Sequence, residues 1–181
     1  FNYYLIERSR AVLNEMKKTV DKINENIQIL KKTANADLVK EVMDAYLSLH
    51  EDNKKYVVDY DAFTEAMLKV NGVVVDIDSY IPNEITETVT LTQSINGVNV
   101  KWETSDEKLL VIENNEMKLN KAYQNHTKKT EKVSVSFEYQ GFPVTISKDV
   151  TIGAIVHKDI ITSPVAAYVN IGAMSHYEAY N

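Results

Sequence analysis

The residues that interrupt helices are confined to one side of a single point in this sequence. Residues 1–72 contain one glycine, Gly72 itself, and no proline, whereas residues 73–181 hold the other four glycines and all three prolines, Pro82, Pro143 and Pro164. Proline removes a backbone donor and glycine adds backbone entropy, so long helices belong before that point and turns after it. The hydrophobic period changes at the same place. Val12, Met16, Val20, Ile23, Ile27 and Leu30 lie three or four residues apart, which stacks them on one stripe of a helix. Val39, Val42, Tyr46 and Leu49 repeat that spacing, as do Val57, Tyr60, Phe63, Met67 and Val70. The polar run 31–37 separates the first stripe from the second, with Thr33 or Asn35 able to cap the second helix. His50 to Asn53 separates the second from the third, and Asp59 offers a cap for a fresh helical start at Tyr60. Three stripes of this length predict a small antiparallel bundle.

After Gly72 the pattern alternates. Ile85, Glu87, Val89 and Leu91 interleave with Thr86, Thr88, Thr90 and Thr92, a β-rich composition. Val98, Val100 and Trp102 alternate with Asn99 and Lys101, directly after Asn96-Gly97, the strongest short hairpin signal in the chain. Leu109 to Ile112 is a short apolar run that Asn114-Asn115 turns toward Met117 and Leu119. Val133, Val135, Phe137 and Tyr139 form the next alternating run, and Gln140-Gly141 turns it into Val144, Ile146, Val150 and Ile152. Short strands with turns about every ten residues predict a β-sandwich with Trp102 at the centre of its core.

Composition removes several functional classes. A hydrophobic content of 44% with 25% charged residues belongs to a globular chain. A net charge of −6 opposes nucleic-acid binding, which needs a concentrated basic surface. With no cysteine there is no disulfide scaffold, thiolate zinc site or thiol nucleophile. The opening FNYYLIERSR has no charged-then-apolar leader, and the chain reads as a fragment of something longer. Residues 160–177 carry no Asp, Glu, Lys or Arg, yet Pro164, Asn170, Gly172 and His176 interrupt them, so two apolar strands fit better than a membrane span.

Two stretches resemble known families. Residues 45–70 carry Tyr46, Leu49, His50, Asp52-Asn53-Lys54, Val57 and Tyr60-Asp61-Ala62-Phe63, and residues 20–30 supply a preceding helix. This pattern resembles the three-helix repeat of secreted and surface proteins from Gram-positive bacteria, with His50 in place of its capping Thr and Asn53 in place of Gln. Residues 89–112, with Asn96-Gly97, Val98-x-Val100-x-Trp102 and Ser105-Asp106, look like the atrophied bacterial immunoglobulin-like domain. Residues 131–152 resemble its closing hairpin. Both resemblances imply an extracellular or cell-surface, multi-domain and non-catalytic context, with neighbouring domains of the same polypeptide as partners.

No residue cluster suggests catalysis. His50, His126, His157 and His176 are dispersed, and His176-x-Glu178 lacks the further ligands that zinc requires. Asp76-x-Asp78 with Ser79 lacks the loop that would complete a calcium site and reads as a solvated connector. Ser105-Asp106-Glu107 reads as a turn, Lys128-Lys129 as a loop tip, and the helical carboxylates Glu7, Glu15, Glu25, Glu41 and Glu65 as solvated faces. Eleven tyrosines are the one mild excess. Tyr46, Tyr56, Tyr60 and Tyr139 fall on or beside apolar stripes; Tyr123, Tyr168, Tyr177 and Tyr180 are the candidate ligand contacts, since amphipathic rings stack on sugars and anchor interfaces.

The expected fold class is therefore segregated α+β. It comprises a three-helix bundle over 1–72, an antiparallel immunoglobulin-like β-sandwich over 73–153, and a C-terminal extension or further domain over 154–181. The expected function is a non-enzymatic spacer and interaction module of a larger bacterial secreted or surface protein, without cofactor, metal or nucleic acid. Two alternatives remain: a module binding cell-wall or host glycans or proteins through exposed tyrosines, and an accessory region of a polysaccharide-degrading or nucleolytic enzyme.

Overall fold

The computed structural model describes residues 2–120 and 127–154. The protein is α+β, with an N-terminal helical region followed by a β-rich region. The described residues divide into two compact units: residues 2–76 with Phe137–Thr145, and residues 77–136 with 146–154.

In the first unit, α1 (Tyr3–Leu30), α2 (Ala36–Ser48), the one-turn α3 (Glu51–Lys54) and α4 (Tyr60–Val70) follow one another. Asn35 caps α2, its side chain accepting from the Leu38 amide at 2.9 Å. His50 stands in the capping position of α3, its ring Nδ1 accepting a long bond of 3.4 Å from the Asp52 amide. Gly72 ends α4: its φ of +67° lets Val73 N–H reach the Leu68 carbonyl and its own N–H the Lys69 carbonyl, a Schellman ending. The core holds Val20, Ile23, Ile27 and Leu30 of α1 with Val39, Val42, Phe63 and Met67. Burial of each such aliphatic side chain contributes about 1.5–3 kcal/mol.

Two expectations change here. Val12 and Met16 share the stripe of this core but not its burial: Val12 is 62% exposed and Met16 half-buried. A 28-residue helix is about 42 Å long, whereas the 13 residues of α2 span about 20 Å, so the stripe outruns its cover. Asp59 precedes α4 but does not cap it; its backbone is left-handed, at φ 54°, and its carboxylate turns toward α1.

The same unit takes in the turn end of a β-hairpin. β8 (Lys129–Tyr139) and β9 (Phe142–Ile152) join through Gln140-Gly141, both at positive φ, the type I′ geometry that a right-twisted hairpin favours. Phe142, fully buried, lies 5.6 Å from Phe63 and 5.8 Å from Tyr46 between ring centroids. The core of the helices thus includes residues remote in sequence.

The second unit contains the base of that hairpin. A four-stranded sheet runs in the order β1 (Glu84–Ile85), β9, β8, β5 (Lys101–Thr104); β2 (Val89–Thr90), β7 (Glu116–Leu119) and β6 (Leu110–Glu113) form a three-stranded sheet, and β3 (Ser94–Ile95) pairs with β4 (Val98–Asn99). Strands β5 and β8 are antiparallel, with Trp102 opposite Val135, whereas β1 pairs with β9 in parallel. The β-rich run over 85–91 divides between β1 and β2, which belong to different sheets. Asn96-Gly97 and Asn114-Asn115 make the β3–β4 and β6–β7 turns, all four residues at positive φ. Trp102 is 8% exposed and its indole N–H donates to the Thr92 carbonyl at 2.8 Å.

Ile77, which opens a 3-10 turn (Ile77–Ser79), and Ile81 just after it are buried, so residues 71–76 are the stretch between α4 and the first buried residue that follows it. Limited proteolysis should cut first between Asn71 and Asp76. Because Phe142 stays in the helical core, the two products should co-elute on native gel filtration and separate only in denaturant. Products that part in buffer would show that the hairpin turn adds little to that core.

Candidate functional site

Four aromatic rings converge in the helical unit: Tyr46 from α2, Tyr60 and Phe63 from α4, and Phe142 from the hairpin turn. Centroids lie 5.1 Å apart for Tyr46–Tyr60, 5.7 Å for Tyr60–Phe63 and 5.6 Å for Phe63–Phe142. Tilted and edge-on contacts at such distances are the favoured aromatic geometries. The Tyr60 hydroxyl donates to the Pro143 carbonyl at 3.0 Å, and the Lys54 ammonium sits 5.1 Å from the Tyr46 ring centroid. Burial, then the neighbouring Tyr46 and Asp61, hold the Tyr60 phenol well above its ordinary range; burial raises Tyr46 as well. Both remain neutral donors at any physiological pH and supply no base. The cluster is packing with its polar tips satisfied.

One edge of α1 carries a polar clamp. The Asn24 amide donates to the Tyr56 carbonyl at 3.2 Å and accepts from the Val58 amide at 2.9 Å, holding the α3–α4 loop as a strand neighbour would. The next residues along that edge, Gln28 and Lys31, donate to the Asp59 carboxylate at 2.7 and 3.0 Å. The bond from Gln28, then that from Lys31 with its charge, lower the Asp59 pKa below the ordinary carboxylate range. A depressed carboxylate contributes stability above the unfolded value, about 3.9, and loses it as pH falls through the lower folded value. Asp59→Asn keeps a residue tolerant of the left-handed backbone and removes the charge. Its denaturation midpoint should fall below that of the wild type at pH 7, and the gap should close toward pH 2.5.

The second unit contains a buried carboxylate. Glu131, 3% exposed, accepts from the Ser105 hydroxyl and the Asp106 amide, while the Ser105 hydroxyl accepts from the Lys132 amide. The bonds of the hydroxyl hold the 105–106 turn in place, a structural staple. It was legible only as a phase: Glu131 shares the inward alternation of Val133 and Val135, a position where a carboxylate requires donors. Lys148 donates to the Ile81 carbonyl at 2.7 Å and pairs with Asp78, in the stretch that the sequence reads as a solvated connector. Among the described residues no three His, Asp or Glu gather as a metal would need.

Two further clefts lie open to solvent. One of about 270 Å³ is edged by Lys31, Lys32, Glu65 and Lys69, and one of about 680 Å³ by Glu87, Glu113, Lys118 and Leu119. Lys31 already pairs with Asp59, and Lys118 with Glu116 at 3.1 Å. Neither cleft joins a nucleophile to a base.

The residues singled out from sequence fare unevenly. Tyr46, Tyr60 and Phe63 come together, Tyr56 is exposed, and the His50 ring pairs with Asp52. Lys129 begins β8, and Lys128 lies 3.9 Å from Glu84. Tyr123, Tyr168, Tyr177, Tyr180, His126, His157, His176 and Glu178 lie outside the described residues. No family model, curated protein or solved structure matches the chain.

Proposed function

We propose that the chain is a non-catalytic spacer and interaction module of a larger bacterial secreted or surface protein. In this reading the helical unit is a three-helix repeat and the second unit an atrophied bacterial immunoglobulin-like sandwich. The observation that carries it is the inward convergence of Tyr46, Tyr60, Phe63 and Phe142, which directs aromatic surface to packing instead of to a ligand. The residues that bear the resemblance support it further: Leu49, Tyr60 and Phe63 pack in one core and Trp102 in the other, as scaffolding positions should. The Ser105-Asp106 element is a stapled turn, consistent with its role as a corner.

The test is direct. The purified 181-residue chain, offered peptidoglycan, chromogenic glycosides, single-stranded DNA and peptide esters, should turn over none above buffer. Turnover that disappears on heat denaturation would falsify the non-catalytic reading. Glycan-array binding abolished by Tyr168→Ala or Tyr177→Ala would favour the ligand-binding alternative instead.

A further inference from the structure

The first half of α1 repeats the apolar phase of the second. Moving the buried set Val20, Ile23, Asn26, Ile27 and Leu30 back by two heptads gives Ile6, Ser9, Val12, Leu13 and Met16. Four of these five are apolar, yet Leu13 is 58% exposed and Val12 62%. The same shift carries the clamp residues Asn24, Gln28 and Lys31 onto Arg10, Asn14 and Lys17. In the second half this edge holds a loop backbone and a carboxylate, that of Asp59. In the first half Arg10 and Lys17 stand exposed beside an exposed apolar stripe.

We infer that Tyr3–Lys18 of α1 docks an amphipathic helix of a partner protein, one whose apolar stripe is edged with carboxylates. The interface continues an established one: the register that seats the helical core runs on, apolar at its core positions except Ser9, for about 24 Å beyond its cover. Apolar positions three to the heptad are those of a helix packed in a bundle, which makes a second helix the matching shape. Charge selects which helix. Lys17 lies two heptads from Lys31, which grips Asp59, so the edge calls for acid. A second copy of this chain does not provide it. Antiparallel self-pairing sets the Arg10 and Lys17 edges against each other, and parallel pairing sets them against Leu5 and Val12.

The inference rests on the interaction part of the proposed function, and the two fail separately. Turnover by the purified chain removes the non-catalytic reading alone; the experiment below bears only on the helix. Two synthetic peptides of three heptads serve as probes, each with Ile at the first and Leu at the fourth core position. One carries Glu and the other Lys at both edge positions. Titrated against the labelled full chain, the Glu peptide should bind at least about tenfold tighter than the Lys peptide. Val12→Asn with Leu13→Asn should weaken that binding at least about tenfold while leaving the thermal midpoint in place, because neither residue is in the core. Arg10→Glu with Lys17→Glu, at exposed positions that cannot disturb packing, should reverse the preference between the peptides. Binding of neither peptide, or of both equally, overturns the inference. So does a wild-type dimer in sedimentation that the Val12/Leu13 variant dissociates, or adsorption to phosphatidylglycerol vesicles that the same variant abolishes.

Discussion

Phe142→Ala destabilises the helices, although Phe142 begins a β-strand. The ring is fully buried among Tyr46 and Phe63, and deletion of such an aromatic costs about 3–5 kcal/mol. That is a large part of the 5–15 kcal/mol that typically holds a domain together. Far-UV circular dichroism at the helix minimum should show an earlier melt, and hydrogen exchange should accelerate at α4 amides. The neighbouring bond, from the Tyr60 hydroxyl to the Pro143 carbonyl, gives a smaller companion effect: Tyr60→Phe should cost about 1 kcal/mol. Unchanged exchange in α4 of the Phe142 variant would show that the helices hold their core without the turn.

Trp102→Ala is the corresponding experiment in the second unit. The indole is nearly inaccessible, donates to Thr92, and lies 6.3 Å from the Tyr80 ring. Its removal should cost about 3–5 kcal/mol in chemical denaturation followed by circular dichroism. Trp102→Phe keeps most of the ring but strands the Thr92 carbonyl, and should fall between the two. In the wild type this single tryptophan should emit at short wavelength and quench poorly with iodide. A red-shifted, readily quenched signal would remove Trp102 from the core.

What the sequence discloses divides by range. The turns at Asn96-Gly97, Asn114-Asn115 and Gln140-Gly141 are legible because positive φ is a local demand that few residues meet. The end of α4 at Gly72 and the cap at Asn35 are local for the same reason. Asp59 misleads because its partners, Gln28 and Lys31, lie on another helix and outcompete the cap. The stripe of α1 reveals a face but not how much of it finds cover, since that depends on the length of α2. Phe142 reads as an ordinary strand residue, and nothing near it in sequence points to Phe63. Function is the least legible, because side chains engaged in packing leave no chemical signature.

The bond from Tyr60 to Pro143 joins positions 83 residues apart. During synthesis the four helices therefore leave the ribosome well before the segment that completes their core. The aromatic core of the N-terminal helices is completed only once the hairpin turn has emerged. A gene fragment ending at Gly72, the natural place to cut by sequence, would encode helices with an unfilled aromatic socket.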